Sequence, residues 1–152
     1  MKDEGKRRHI LLIEDNEADA MVTRMVHEEV KHCSWLDVVH RADEALAYLR
    51  GEGPYAGRQR PDVILMDMTL PAQSGLDLLK EIRSLPGCEN LPVAMISGSD
   101  NPQQIRRAYE LGANCVIKKG STWEEYFRKL ETCYEFWCVV AELPPERGGA
   151  AP

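Results

Sequence analysis

A chain of 152 residues with 19 Lys+Arg against 25 Asp+Glu, net charge −6, has room for one domain with a real core. It holds no basic block long enough to follow a nucleic-acid backbone and no apolar stretch of membrane-spanning length, and MKDEGKRRHI lacks the apolar centre of a secretory signal; a cytoplasmic chain without nucleic-acid or membrane partners is expected. Cysteines at 33, 88, 115, 133 and 138 and histidines at 9, 27, 32 and 40 show no metal-ligand spacing, which reads as buried thiols of a reducing cytosol rather than a structural zinc site.

Residues 1–8 are charged and predict a flexible tail, with Lys6-Arg7-Arg8 as a solvating patch. Ile10-Leu11-Leu12-Ile13 is a short apolar run that ends in Glu14-Asp15; Asn16-Glu17 follow, then Ala18, Met21, Val22, Met25 and Val26 at helical spacing. Trp35 to Val39 is a second strand candidate, and Asp43-Glu44 open a helix carrying Ala45, Leu46, Tyr48 and Leu49. GEGPYAGRQRP at 51–61 predicts a surface loop. A strand over 62–67 and a helix from Ser74 to Arg83, with Leu76, Leu79 and Ile82 on one face, come next. After Pro86-Gly87, LPVAMI at 91–96 is a fourth strand running into Ser97-Gly98-Ser99-Asp100. Asn101-Pro102 starts a helix that Gly112 stops. Cys115-Val116-Ile117 is a fifth strand ending at Lys118-Lys119-Gly120, and Ser121 or Thr122 caps a last long helix before the tail PPERGGAAP. Five strands alternating with five helices mean an α/β fold with a doubly wound parallel sheet, one domain over 9–143, and a disordered tail at 144–152.

The stretch PDVILMDMTLPAQSG places Asp67 directly after the run Val63-Ile64-Leu65-Met66. So short an unbroken apolar run fits a strand buried on both faces, which puts Asp67 at the carboxyl end of a central strand, where open α/β sheets hold their sites. Taken alone, Asp67 reads equally as an acid that caps the next helix. Glu14-Asp15, Ser97 and Lys119 end other strands, so all of them reach one rim. Carboxylates gathered there raise at least one pKa unless a cation neutralises them. Magnesium, which prefers oxygen ligands and accepts one or two carboxylates with a phosphate oxygen, suits the set. With Lys119 as a point charge and Ser97 as a hydroxyl donor, the set fits phosphoryl transfer, with Asp67 as the nucleophile of an aspartyl-phosphate route. A Walker-type loop, a Ser-His-Asp order and a nucleophile elbow are all missing.

These residues resemble the receiver domains of two-component response regulators. Ile13-Glu14-Asp15-Asn16 looks like the family's acidic pair, and Asp67 to Gly75 is similar to its D-x-x-[LM]-P-x-x-x-G signature. Ser97-Gly98 and Leu111-Gly112-Ala113-Asn114 with Lys119 match in order, at intervals of 30 residues from Asp67 to Ser97 and 22 from Ser97 to Lys119. The resemblance implies the flavodoxin-like strand order 2-1-3-4-5 and a site in which Asp67 accepts a phosphoryl group from a phosphohistidine on a sensor kinase. Asp15 would bind Mg2+ (or Mn2+) directly, Glu14 through water, and Asp67 and the Thr69 carbonyl would complete the metal site; Ser97, Gly98 and Lys119 would take the phosphate. Such a domain catalyses only its own phosphorylation and dephosphorylation. Two positions depart from the family: Gly120 stands where a proline usually follows the lysine, and Val116 replaces the aromatic switch residue.

The long loop at 51–60 and the ending YEFWCVVAELPP narrow the resemblance to stand-alone regulators that partner bacterial and cyanobacterial phytochromes, so a bacteriophytochrome is the expected kinase. On the last helix Trp123, Phe127, Leu130, Tyr134 and Trp137 recur on one face and predict the buried side. Tyr126, Cys133, Phe136 and Val140 lie off it, with Val139 and Leu143 prolonging an arm; a homodimer is expected through Trp123, Phe136, Trp137, Val140 and Leu143. The competing readings are a pseudo-receiver that only binds protein, disfavoured by the intact Glu14, Asp15, Asp67 and Lys119, and a phosphoaspartate phosphatase. The phosphatase class carries a second acid two residues after the nucleophile, where this chain has Thr69.

Overall fold

The computed structural model of the chain describes residues 7–30 and 34–145. Residues 1–6 of the expected tail 1–8 and residues 146–152 of the expected tail 144–152, together with His32 and Cys33, lie outside the described residues. Five parallel strands, β1 (Arg8–Ile13), β2 (Ser34–Val39), β3 (Val63–Asp67), β4 (Val93–Ser97) and β5 (Cys115–Lys118), form one sheet in the order β2-β1-β3-β4-β5. Between and after them run α1 (Glu17–Val30), α2 (Ala42–Arg50), α3 (Gly75–Ser84), α4 (Pro102–Glu110) and α5 (Trp123–Glu135). The strand order is the flavodoxin-like one that the resemblance implies.

Alternation along the strands builds two cores. From β1 and β3, Leu11, Ile13, Ile64 and Met66 point to the layer containing α2 and α3, while Ile10, Leu12, Val63 and Leu65 point to the layer containing α1 and α5. Both faces are covered, which is why β1 and β3 read as unbroken apolar runs rather than alternating ones. Three helix starts are capped by side chains: the Ser74 hydroxyl accepts from the Asp77 N–H, Asn101 accepts from the Gln103 N–H ahead of Pro102, and Thr122 accepts from the Glu125 N–H.

The last helix corrects the expected buried face. Its core residues are Tyr126, Leu130, Cys133 and Tyr134, whereas Trp123 is 54% exposed and Phe127 and Trp137 are half-buried. The expected stripe and the observed one share Leu130 and Tyr134 and differ by a small rotation about the helix axis; packing against α1 selects between them. α5 passes into a π-helical turn over Phe136–Val140, closed by the Ala141 N–H on the Phe136 carbonyl at 2.7 Å, with Val139 and Val140 in solvent. Leu143 does not extend outward: it packs on the α1/α5 core and, with Pro144 and Pro145, lines a cavity with Arg7 and Trp35 at the amino ends of the strands. Arg8 already belongs to β1, and the Arg7 guanidinium donates to the Ser34 carbonyl at 3.0 Å, so these two residues of the expected tail are part of the fold.

At that same end of the sheet Arg83 of α3 donates to the carbonyls of Cys88, Leu91 and Gly112 and to the Asn114 side chain, at 2.6–3.2 Å. One planar guanidinium thereby joins the chain ahead of β4 to the chain ahead of β5. Arg83→Ala leaves several carbonyls without donors and is expected to lower unfolding free energy by about 2–4 kcal/mol. Arg83→Lys, which lacks the fork, recovers less than half; chemical denaturation at equal m-value is the measurement, and full recovery by Lys would refute the clamp.

Candidate functional site

The carboxyl ends of β1, β3, β4 and β5 meet on one rim. Asp67 is the last residue of β3 and Ser97 the last of β4; Glu14 follows β1 and Lys119 follows β5. Glu14 is set by its backbone, whose N–H donates to the Val39 carbonyl at 3.0 Å and whose carbonyl accepts from His40 Nδ1 at 2.9 Å. The Lys119 N–H donates to the Ser97 carbonyl at 2.9 Å, continuing the β4–β5 ladder past its end. Gly120 then takes φ +83° through a trans peptide, and a Cβ there would lie 2.3 Å from the Glu125 carboxylate that accepts the Ser121 N–H. The departure from proline after the lysine is thus met by a left-handed glycine.

Three carboxylates surround the Lys119 ammonium. Its Nζ donates to Asp67 Oδ2 at 2.9 Å, to Glu14 Oε1 at 3.3 Å and to Asp19 Oδ2. Glu14 is fully buried and Asp67 is 4% exposed. Asp67 Oδ1 accepts the Thr69 N–H at 2.7 Å, so each oxygen of the strand-end carboxylate has a donor. Burial pushes the Glu14 carboxyl up, and hydrogen bonding and repulsion from Asp67 add to it, so that despite Lys119 its pKa rises from 4.5 to about 8. Burial works against the charged form of Lys119, but bonds to Asp19 and Asp67 and the field of the carboxylates outweigh it and hold its pKa above the ordinary lysine value. A raised carboxyl is what the sequence predicts for acids crowded on one rim.

The donor set fits a hard divalent cation. One oxygen from each of Glu14, Asp19 and Asp67 lies within 4.8 Å of the others, and Glu14 Oε2 is buried with no hydrogen-bond partner. Of the residues expected from sequence, Glu14, Asp67 and Lys119 are in direct contact. Thr69 adjoins Asp67 through its N–H. The Ser97 hydroxyl, 2% exposed, donates to the Ser99 carbonyl at 2.9 Å and accepts the Ser99 N–H at 3.1 Å, a local turn beside the group. Gly98 is exposed and has open space where a Cβ would stand. The Asp15 side chain is exposed and stands outside the cluster of three acids.

Two residues escape a reading of the sequence. Asp19 sits in the first turn of α1, its N–H bonded to the Asn16 side chain at 3.0 Å, so in sequence it resembles an ordinary acid near a helix start. Its spacing from Glu14 across a strand–helix turn was the available signal. Tyr109 of α4 accepts the Val116 N–H at 3.2 Å through its hydroxyl, so an aromatic side chain meets β5 from the neighbouring helix although Val116 itself is aliphatic.

Gly75 has a steric duty. Its N–H donates to the Met68 carbonyl at 2.9 Å, and a Cβ there would lie 2.3 Å from the Asp67 carbonyl oxygen and 2.8 Å from Met68 Cα. The final glycine of the signature therefore lets α3 start against the backbone that carries Asp67.

With fold and site in view, comparison with known proteins is decisive: residues 10–131 match the response regulator receiver domain. The chain belongs to that family. Among curated relatives it is 32% identical to the response regulator Rcp1 of Synechocystis sp. over 139 residues, covering 89% of this chain and 92% of that protein. The crystal structure of the phosphorylated cyanobacterial phytochrome response regulator RcpA superposes with a TM-score of 0.87 at 37% identity, over 91% of this chain and 99% of that one. The Mn2+-bound form of Rcp1 gives 0.85 at 30% identity over the same shares, and the bacteriophytochrome response regulator RtBRR gives 0.70 at 32% identity, over 95% of this chain and 88% of that one. A receiver domain with phytochrome response regulators among its relatives is part of two-component phosphorelay signalling.

Two measurements test the geometry. The folded chain keeps the Glu14 proton to about pH 8 while the unfolded chain releases it near 4.5, so unfolding releases a proton between those values and stability falls as pH rises through that window. In chelator, Glu14→Gln is expected to be more stable than wild type at about pH 8 and to lose less stability from about pH 5 upward; parallel pH curves would refute the assignment. Gly75→Ala is expected to lower unfolding free energy by roughly 2 kcal/mol or more, because the intruded atoms are backbone. A thermal midpoint equal to wild type would contradict the close approach.

Proposed function

We propose that this receiver domain is a phosphoacceptor whose Asp67 takes a phosphoryl group from the phosphohistidine of a sensor histidine kinase of the phytochrome class, a bacteriophytochrome in particular. The observation that carries the reading is the Lys119 Nζ–Asp67 Oδ2 contact of 2.9 Å at the carboxyl end of a central strand, beside buried Glu14 and half-buried Asp19. In the transfer an Asp67 carboxylate oxygen attacks phosphorus, the O–P bond forms, and the N–P bond breaks with its electron pair leaving on the imidazole nitrogen. The Thr69 N–H orients the carboxylate, and Lys119 supplies positive charge beside the developing phosphate. Ser97 needs only to leave its bonds with Ser99 to donate to a phosphate oxygen, and Gly98 keeps that approach open.

Glu14, Asp15, Asp67 and the Thr69 carbonyl are the proposed holders of Mg2+ or Mn2+, and the bound cation supplies charge neutralisation for the transferring group. The Mn2+ in the structure of Rcp1 supports this choice of ion. The domain acts on itself alone, its output being the changed surface of the phosphorylated form. Among the described residues no helix is long and apolar enough to cross a membrane, and the cytoplasm is the proposed compartment. Exposed Trp123, Phe136 and Val140, with half-buried Trp137, support the proposed homodimer along α5 and its π-helical turn; Leu143 contributes from its packed position.

Incubation with magnesium and acetyl phosphate is expected to add one phosphoryl group by mass, and Asp67→Asn or chelator to abolish it. An unmodified wild type, or a modified Asp67→Asn, would overturn the central claim. Replacing Phe136 and Val140 by Lys together is expected to give a monomer by light scattering from a chain that is dimeric as wild type; an unchanged mass would remove this face from the dimer.

A further inference from the structure

We propose that Asp19 is a member of the cation site, a carboxylate additional to Glu14, Asp15 and Asp67, which Lys119 occupies until a divalent ion and a phosphoryl group divide the site between them. The inference rests on the phosphoacceptor reading and deepens it. Asp19 shares no strand end with the other acids. It reaches the rim from the first turn of α1, held there by the Asn16 side chain on its own N–H. Its oxygen comes within 4.8 Å of oxygens of Glu14 and Asp67, a span that one ion with oxygen ligands can bridge directly or through water. Independently of that spacing, Glu14 Oε2 is buried beside this group without a hydrogen-bond partner, an oxygen whose unmet need a cation would satisfy.

Lys119 explains why Asp19 can wait. Its three N–H donors go to three carboxylates, so the ammonium serves as the counter-cation of the group. A phosphoryl group on Asp67 brings oxygens that compete for the same ammonium. As Lys119 turns to them, the Asp19 carboxylate loses its ammonium partner and would be free to hold a divalent ion.

The test is Mn2+ affinity from the EPR signal of free Mn2+, measured on the full chain, with thermal melts confirming the fold of each variant. Asp19→Asn is expected to weaken Mn2+ binding roughly 10- to 100-fold, and Asp19→Glu, which keeps the charge, to stay within about threefold of wild type. Glu17→Gln removes the same charge from the same helical turn, but from a side chain 72% exposed, and is expected to stay within about threefold. In a Lys119→Met background the Asp19→Asn loss is expected to be at least as large, since no ammonium then screens Asp19. Asp19→Asn equal to Glu17→Gln overturns the proposal. A smaller loss in the Lys119→Met background also overturns it, because Asp19 would then act through Lys119 alone. Should Asp19→Asn fail to fold, Asp19→Ser is measured against the same standard. Wild type that takes up the phosphoryl group and binds Mn2+, with an unaffected Asp19→Asn, defeats this assignment only; wild type that does neither defeats the phosphoacceptor reading with it.

Discussion

An ammonium and three carboxylates gathered at one end of a parallel sheet are the constraint to which the rest of the rim conforms. Buried charges persist only when paired, and Lys119 is the common partner of Glu14, Asp19 and Asp67. The pairing spans the ends of β1, β3 and β5 and the start of α1, parts of the chain up to 105 residues apart. With more negative than positive charge in the group, one acid responds by keeping its proton, and that acid is the most deeply buried, Glu14. The same imbalance makes the group a receptor for cations and ready for charge to be rearranged.

The two ends of the sheet divide the labour. Toward the amino ends Arg83 gathers carbonyls from two loops, and Asp37 is bonded by Tyr48, His9 and Arg58, although buried His9 Nδ1 has no partner. Burial alone would raise the Asp37 carboxyl, but these donors and the positive charge of Arg58 bring it below its ordinary value, so it stays charged and paired. At the carboxyl ends an acceptor of Glu14 is left open and the Ser97 hydroxyl is engaged only by its own turn. The closed end holds the strands in place; the open end keeps groups that a ligand can engage.

Between the rim and the surface lies α4, whose only buried residue is Ala108. Tyr109, half exposed, ties it to β5 through the outward Val116 N–H, a bond that also blunts the edge of the sheet. Lys129 does the same at the Lys118 carbonyl from α5. So lightly packed a helix, next to the strand whose end carries Lys119, belongs to the low-stability part of the fold from which moving elements are drawn.

Much of this was legible in the chain itself. Unbroken apolar runs of three to six residues, each followed by a polar group and then by helical spacing, determined a parallel sheet and the rim on which Glu14, Asp67, Ser97 and Lys119 stand, because strand direction and alternation are local properties of the backbone. The signature from Asp67 to Gly75 carried its own reason, since only glycine fits where α3 begins against the Asp67 carbonyl. What tertiary structure alone decided were relations between faces and charges. Two overlapping stripes on α5 both satisfied helical periodicity, and packing against α1 chose the one through Tyr126 and Cys133, leaving Trp123 in solvent. Asp19 looked like a helix-start acid until the fold brought Lys119 to it across 100 residues of sequence, and Asp15, the neighbour of Glu14 in the acidic pair, is exposed. Sequence specifies which side chains a strand or helix presents; which of them meet is settled only when the layers close and every buried charge must find its partner.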